Sequence, residues 1–198
     1  RRTWESWGVT PQVVMGHSLG EYMAAQAAGV LTLEAGLKLV ASRGRLMQSR
    51  CEGGAMLSVM LDAATLRERL AEQGGGLVIA ALNGPSQQVV AGASAQIEAL
   101  RERLAQEGVR TDLLPGSHAF HSPLVEPMLA AYEAVLKATR LSAPQLPLVS
   151  NVSGAVAGAE VAAAGYWVEH TRAPVRFGLG IEALAAQGVD VVLEIGAR

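Results

Sequence analysis

The sequence predicts an α/β fold: a mostly parallel sheet flanked by helices, with a ferredoxin-like βαββαβ subdomain inserted into it. Three observations carry this. Short apolar, β-branched runs alternate with helical stretches before and after the middle of the chain, the pattern of a parallel sheet covered on both faces. The middle, residues 55–115, has a rhythm of its own. A last run, residues 189–195, is apolar and reads as a strand buried on both faces.

Each element has a local reason. Residues 12–15 form a buried strand that runs into Gly16-His17-Ser18-Leu19-Gly20. Alanine-rich residues 21–28 favour helix, with Gly29 as a stop. Thr32 can cap a second helix over 33–48, where Leu33, Leu37, Leu39, Val40 and Leu46 recur at near-helical spacing. The insert follows as strand 56–61, an Asp62-capped helix to 73, strand 77–82, the turn Asn83-Gly84-Pro85, strand 88–91, a Ser94-capped helix to 107 and strand 109–114. That order is the split βαββαβ unit. The expected division is therefore 1–54 with 116–198 as the large α/β subdomain, and 55–115 as the insert. Helix over 123–137, strand over 148–151 and helix over 166–171 and 173–187, broken near Pro174, complete the large part.

Composition narrows the function. The chain has 198 residues, a formal charge of −2, 50% hydrophobic and 17% charged residues. That is ample for a core, and without a basic cluster nucleic acid is not the expected partner. Apolar runs such as 77–82 are too short to cross a bilayer. A single cysteine, Cys51, excludes an internal disulfide framework and argues against a cysteine-rich metal site. No basic segment followed by an apolar stretch opens the chain, so no signal peptide is read and a cytoplasmic setting is expected. Both ends read as cuts in a longer polypeptide: Arg1-Arg2-Thr3-Trp4 like the tail of a helix, Glu194-Ile195-Gly196-Ala197-Arg198 directly after a strand.

Gly16-His17-Ser18-Leu19-Gly20 fits G-x-S-x-G between a strand and a helix, the hydrolase-like elbow. Its two glycines are expected to allow the sharp turn that stands the Ser18 hydroxyl at the carboxyl edge of the sheet. The main-chain N–H of Leu19, at the start of the next helix, is the natural oxyanion donor. A serine hydroxyl needs a base, and the histidines are His17, His118, His121 and His170. His17 adjoins the serine and should point elsewhere. His118 and His121 lie in Ser117-His118-Ala119-Phe120-His121-Ser122-Pro123, where the insert rejoins the main body, and one of them is the expected base. Their spacing lacks a third ligand, so no metal is expected. The helix from Ser18 climbs about 15 Å at 1.5 Å per residue before the chain turns near Thr32. If the returning helix packs antiparallel, Arg43 lies level with Ser18, and its guanidinium suits a substrate carboxylate.

Gly16-His17-Ser18-Leu19-Gly20-Glu21, Ser42-Arg43-Gly44-Arg45-Leu46-Met47-Gln48, His118-Ala119-Phe120-His121-Ser122-Pro123, Tyr166-Trp167-Val168-Glu169-His170 and Leu193-Glu194-Ile195-Gly196 occur in that order. In this the whole chain resembles the acyltransferase domain of modular polyketide synthases. It is also similar to malonyl-CoA:acyl-carrier-protein transacylases. The resemblance implies Ser18 as nucleophile, His121 as base, Arg43 as the carboxylate holder and the Leu19 N–H as half of the oxyanion hole. It implies a main-chain carbonyl at His170 to orient His121. The family's second oxyanion donor comes from a Gly-Gln-Gly motif that this sequence does not contain. His-Ala-Phe-His resembles the malonyl-selective signature, with His17, His118 and Phe120 lining the substrate and Phe120 crowding a 2-methyl group. Implied too are malonyl-CoA as substrate, a phosphopantetheine arm supplied by an acyl carrier protein, a neighbouring ketosynthase in the same polypeptide, and no bound cofactor. A serine hydrolase or thioesterase, or a non-catalytic piece of a larger synthase, are the rival readings.

Overall fold

The computed structural model describes residues 2–196. The elements are α1 (Arg2–Ser6), β1 (Val14–Met15), α2 (Leu19–Ala27), α3 (Leu33–Arg50), β2 (Ala55–Val59), α4 (Ala63–Ala71), β3 (Val78–Gly84), β4 (Gln87–Gly92), α5 (Ser94–Gln106), β5 (Thr111–Leu113), α6 (Glu126–Lys137), β6 (Leu148–Val149), α7 (Ala164–Arg172) and α8 (Phe177–Ala186). Thr32 caps α3 as expected, its hydroxyl accepting from the Ala35 N–H, and Asp62 caps α4 through the N–H groups of Ala64 and Thr65. Ser94 is not a cap. It is the first helical residue of α5, after Ala93, and makes no capping bond.

The fold is α/β. β1 and β6 pair in parallel, Val14 opposite Leu148 and Met15 opposite Val149. Helices α2, α3, α6 and α7 bury Tyr22, Leu39, Met128, Tyr132, Leu136 and Trp167 against this ladder. Residues 55–113 build a separate antiparallel sheet in the order β3-β4-β2-β5, the ferredoxin-like arrangement. One face packs Leu57, Val90, Leu66, Ile97, Leu100 and Leu104 against one another. Each such buried side chain contributes about 1.5–3 kcal/mol. The other face is lined by Ala80, Ala81, Val89 and Ala91, which meet Ala119 and Val175 of the main body. Small side chains let the backbones approach. The Val175 N–H donates to Ala80 O at 2.9 Å, and the Leu82 N–H to Val175 O at 2.8 Å.

Residues 189–195 form no strand; Val191 is 82% exposed and Val192 71%. Apolar, β-branched residues favour a strand only where a ladder partner takes their N–H and C=O groups. Among the described residues no strand pairs with this segment.

Candidate active site

The site sits at the carboxyl ends of β1 and β6, where a chain leaving adjacent parallel strands opens a crevice. Met15 ends β1, and Ser18 follows with φ 50° and ψ −110°. A left-handed serine is strained by about 1–3 kcal/mol. Gly16 is what permits the turn: a Cβ there would lie 2.1 Å from the carbonyl carbon and oxygen of Gly20. Gly20 has open space where a Cβ would go, so only the first glycine of the pentapeptide is needed sterically. The N–H groups of Gly20 and Glu21 turn back onto His17 O and Ser18 O. Among the described residues no acceptor takes the Leu19 N–H, so it remains free beside the serine.

The Ser18 Oγ–H donates to His121 Nε2 at 2.6 Å. His121 is the other non-glycine residue with positive φ among the described ones, at 57°. Strain is therefore concentrated on the pair that meets. Ser122 locks this loop: its hydroxyl donates to Ala119 O at 2.6 Å and accepts from the Leu124 N–H at 3.2 Å. His121 is 3% exposed, and its ring donates from Nδ1 to the Ala173 carbonyl at 2.8 Å. That bond leaves Nε2 unprotonated and aimed at Ser18. Burial, then the charges of Arg43 and His170, push the imidazole pKa down to about 3. The ring is thus neutral and able to accept a proton across the physiological range.

The orienting carbonyl belongs to Ala173, not to His170. Pro174 biases the preceding residue to extended backbone, and Ala173 leaves α7 with φ −71° and ψ 153°. That exit turns its carbonyl out of the helix toward His121. The bonds between Val175 and β3 hold the same segment in place. His170 is instead buried, with Nε2 3.4 Å from Glu21 Oε2.

Arg43 is 6% exposed on α3. Its charge acts on His121 and on the hydroxyls of Tyr22 and Tyr132, which bond each other at 2.8 Å. Among the described residues its Nε and Nη2 have no hydrogen-bond partner. Buried guanidinium donors left unpaired cost about 1–3 kcal/mol or more, and a carboxylate arriving beside Ser18 would satisfy them in bidentate fashion.

His17 points away from Ser18. It donates from Nε2 to Asn83 Oδ1 at 2.8 Å and lies 5.0 Å, ring to ring, from Phe177, tying the elbow to β3 and α8. His118 bonds Ser117 Oγ at 3.0 Å and lies 6.2 Å from Phe120, which packs on the main core. Sequence reasoning missed Asn151 and Glu21, both buried under the elbow. A usable signal existed: Asn151 stands two residues past a strand paired in parallel with the one that ends before Ser18.

This geometry has relatives. The acyl transferase domain family matches residues 2–197. The chain is 44% identical over 196 residues to polyketide synthase GfsA of Streptomyces halstedii, covering 98% of this chain and 3% of that protein. It is 45% identical over 194 residues to the phenolphthiocerol synthesis polyketide synthase Pks15/1 of Mycobacterium marinum, covering 97% and 9%. The chain thus spans under a tenth of the length of these relatives. Among solved structures, the acyltransferase domain from the second module of the salinomycin polyketide synthase superposes with TM-score 0.87 at 49% identity, over 93% of this chain and 44% of that one. Malonyl CoA-acyl carrier protein transacylase from Burkholderia pseudomallei gives 0.85 at 35%, over 94% and 64%. With a serine elbow bonded to a neutral histidine at its centre, the chain belongs to the acyl transferase domain family, as found in multidomain polyketide synthases.

Proposed function

We propose that this domain takes a malonyl unit from malonyl-CoA onto Ser18 and passes it to the phosphopantetheine thiol of an acyl carrier protein. The 2.6 Å contact between Ser18 Oγ and His121 Nε2 carries the reading, together with the Arg43 guanidinium, whose charge acts on His121 and whose Nε and Nη2 have no partner among the described residues. Ser18 Oγ attacks the thioester carbonyl while His121 Nε2 accepts its proton. The Leu19 N–H steadies the oxyanion. His121 then protonates the departing coenzyme A thiolate, leaving a malonyl ester on Ser18. The carrier thiol enters, gives its proton to His121 and attacks the ester; Ser18 departs and takes the proton back. Arg43 grips the free carboxylate and so selects dicarboxylic acyl chains. In this reading His118 and Phe120 flank the acyl end, and Phe120 disfavours a 2-methyl branch by about 1–3 kcal/mol, while His17, turned to Asn83, holds the elbow instead. The domain itself binds no cofactor in this scheme. Its partners are the carrier protein and the adjoining domains of the same synthase, a ketosynthase among them, in the cytoplasm, where a free cysteine such as Cys51 persists.

Incubation of the full-length protein with malonyl-CoA and its carrier protein tests this. Malonyl transfer to the carrier thiol that stops in Ser18→Ala supports it. Release of free malonate without carrier loading would make the domain a hydrolase, and no reaction at all would leave it a structural piece.

A further inference from the structure

We infer that Asn151 is a positioning residue for the nucleophile, its carboxamide clamping the strained elbow from beneath and itself anchored by the buried carboxylate of Glu21. The inference rests on Ser18 as the reacting group. Asn151 Oδ1 accepts from the Ser18 N–H at 2.6 Å, and Asn151 Nδ2 donates to Gly16 O at 2.7 Å. One side chain therefore spans the residue on which the turn pivots. No other group among the described residues satisfies these two main-chain atoms. Because the Ser18 N–H is taken, it is unavailable to an oxyanion, which leaves the Leu19 N–H as the elbow's own donor.

Asn151 is 1% exposed and is fixed in turn. Its N–H donates to Glu21 Oε2 at 2.8 Å, and its carbonyl accepts from the Arg176 N–H at 2.9 Å. Glu21 is fully buried and also accepts from the Tyr166 hydroxyl, with His170 Nε2 3.4 Å away. Tyr166 Oη lies 2.7 Å from Ser150 Oγ, which accepts from the N–H groups of Val152 and Ser153 at 3.0 and 3.2 Å. The carboxyl end of β6 is thereby pinned to the helix that starts at the elbow. None of these groups needs to touch substrate. They hold the atom that does.

Asn151→Ala and Asn151→Asp, made in the full-length protein, test this through two rates. One is malonylation of Ser18 by malonyl-CoA; the other is phosphonylation of Ser18 by a simple fluorophosphonate, which requires an activated serine and no malonyl recognition. Asn151→Ala should lower both rates about a hundredfold, as misplacement by an ångström does, with KM for malonyl-CoA little changed. In Asn151→Asp the ionised carboxylate cannot donate to Gly16 O, but the protonated acid can, and Glu21 beside it favours protonation. Its two rates should therefore recover as the pH is lowered from 8 to 5, where wild type stays level because His121 remains neutral. Rates for Asn151→Ala within roughly threefold of wild type, or an Asp variant with the wild-type pH profile, would overturn the inference. Should Asn151→Ala fail to fold, the Asp profile decides alone. If wild type takes up the phosphonate but no malonyl group, the substrate reading fails while the clamp is still judged on phosphonylation.

Discussion

Ser18 and His121 both stand in left-handed backbone, yet they are held by different kinds of support. Ser18 is placed by regular structure: the end of β1, the start of α2 and, through Asn151, the end of β6. His121 sits in a loop closed by Ser122, and its ring is aimed by a carbonyl from the segment leaving α7. That segment is strapped by Val175 to β3 of the antiparallel sheet. The nucleophile is thus a property of the main parallel ladder. The base depends on how the ferredoxin-like sheet docks against the main body, through alanines small enough to permit it. A motif describes the first arrangement; only the tertiary fold describes the second.

The largest effects should separate the two supports. Ser18→Ala should abolish acyl-enzyme formation, measured by intact mass, whereas His121→Gln should retain a folded protein that loads about 10²–10⁴-fold more slowly. Equal, complete loss of folding in both would erase the distinction. Arg43→Ala should reduce malonyl loading by about ten- to a hundredfold more than acetyl loading, the worth of a charged hydrogen-bonded pair. Equal losses for the two acyl groups, in competition kinetics, would remove Arg43 from carboxylate binding.

Smaller effects sharpen the view of the elbow and the loop. Gly16→Ala should destabilise the fold by more than about 3 kcal/mol, because its methyl meets the Gly20 backbone. Gly20→Ala should be neutral or stabilise by up to about 1 kcal/mol, since the space is open and the position is helical. Chemical denaturation of both variants checks this, and similar values for the two would refute the steric assignment. The pH effect on stability is confined to acid. His121 titrates at 6.5 in an unfolded chain and about 3 when folded. Its neutral form is favoured by folding, so its contribution is fully present above about pH 6.5 and is lost as pH falls toward 3. His121→Gln should flatten that part of the stability curve; an unchanged acid slope would show that His121 does not titrate in this way.

Much of the fold was legible because its signals are local. The caps Thr32 and Asp62, the glycine stop after α2 and the βαββαβ order of the insert all follow from short-range chemistry. Local signals also misled. Ser94 has the right type for a cap, but the chain is already helical there, with Ala93 in the cap position. The run 189–195 has strand composition but pairs with no strand among the described residues. In the site, the elbow, the loop histidines and Arg43 were visible as residue types at telling positions. The carbonyl of Ala173 was not, because any residue has a carbonyl and only the exit before Pro174 selects this one. Asn151 and Glu21 were missed for a related reason. Their value lies in bonding to main-chain atoms more than a hundred residues away in sequence, which becomes visible only once β1 and β6 are known to pair.

The structure of the malonylated protein, obtained after incubation with malonyl-CoA, puts the convergence of Ser18, His121 and Arg43 to direct trial. The ester should lie on Ser18 Oγ, with its carbonyl oxygen toward the Leu19 N–H and its free carboxylate bound to Arg43 through Nε and Nη2. An acyl group on another residue, or a carboxylate turned to solvent with those two nitrogens still unpaired, would contradict it.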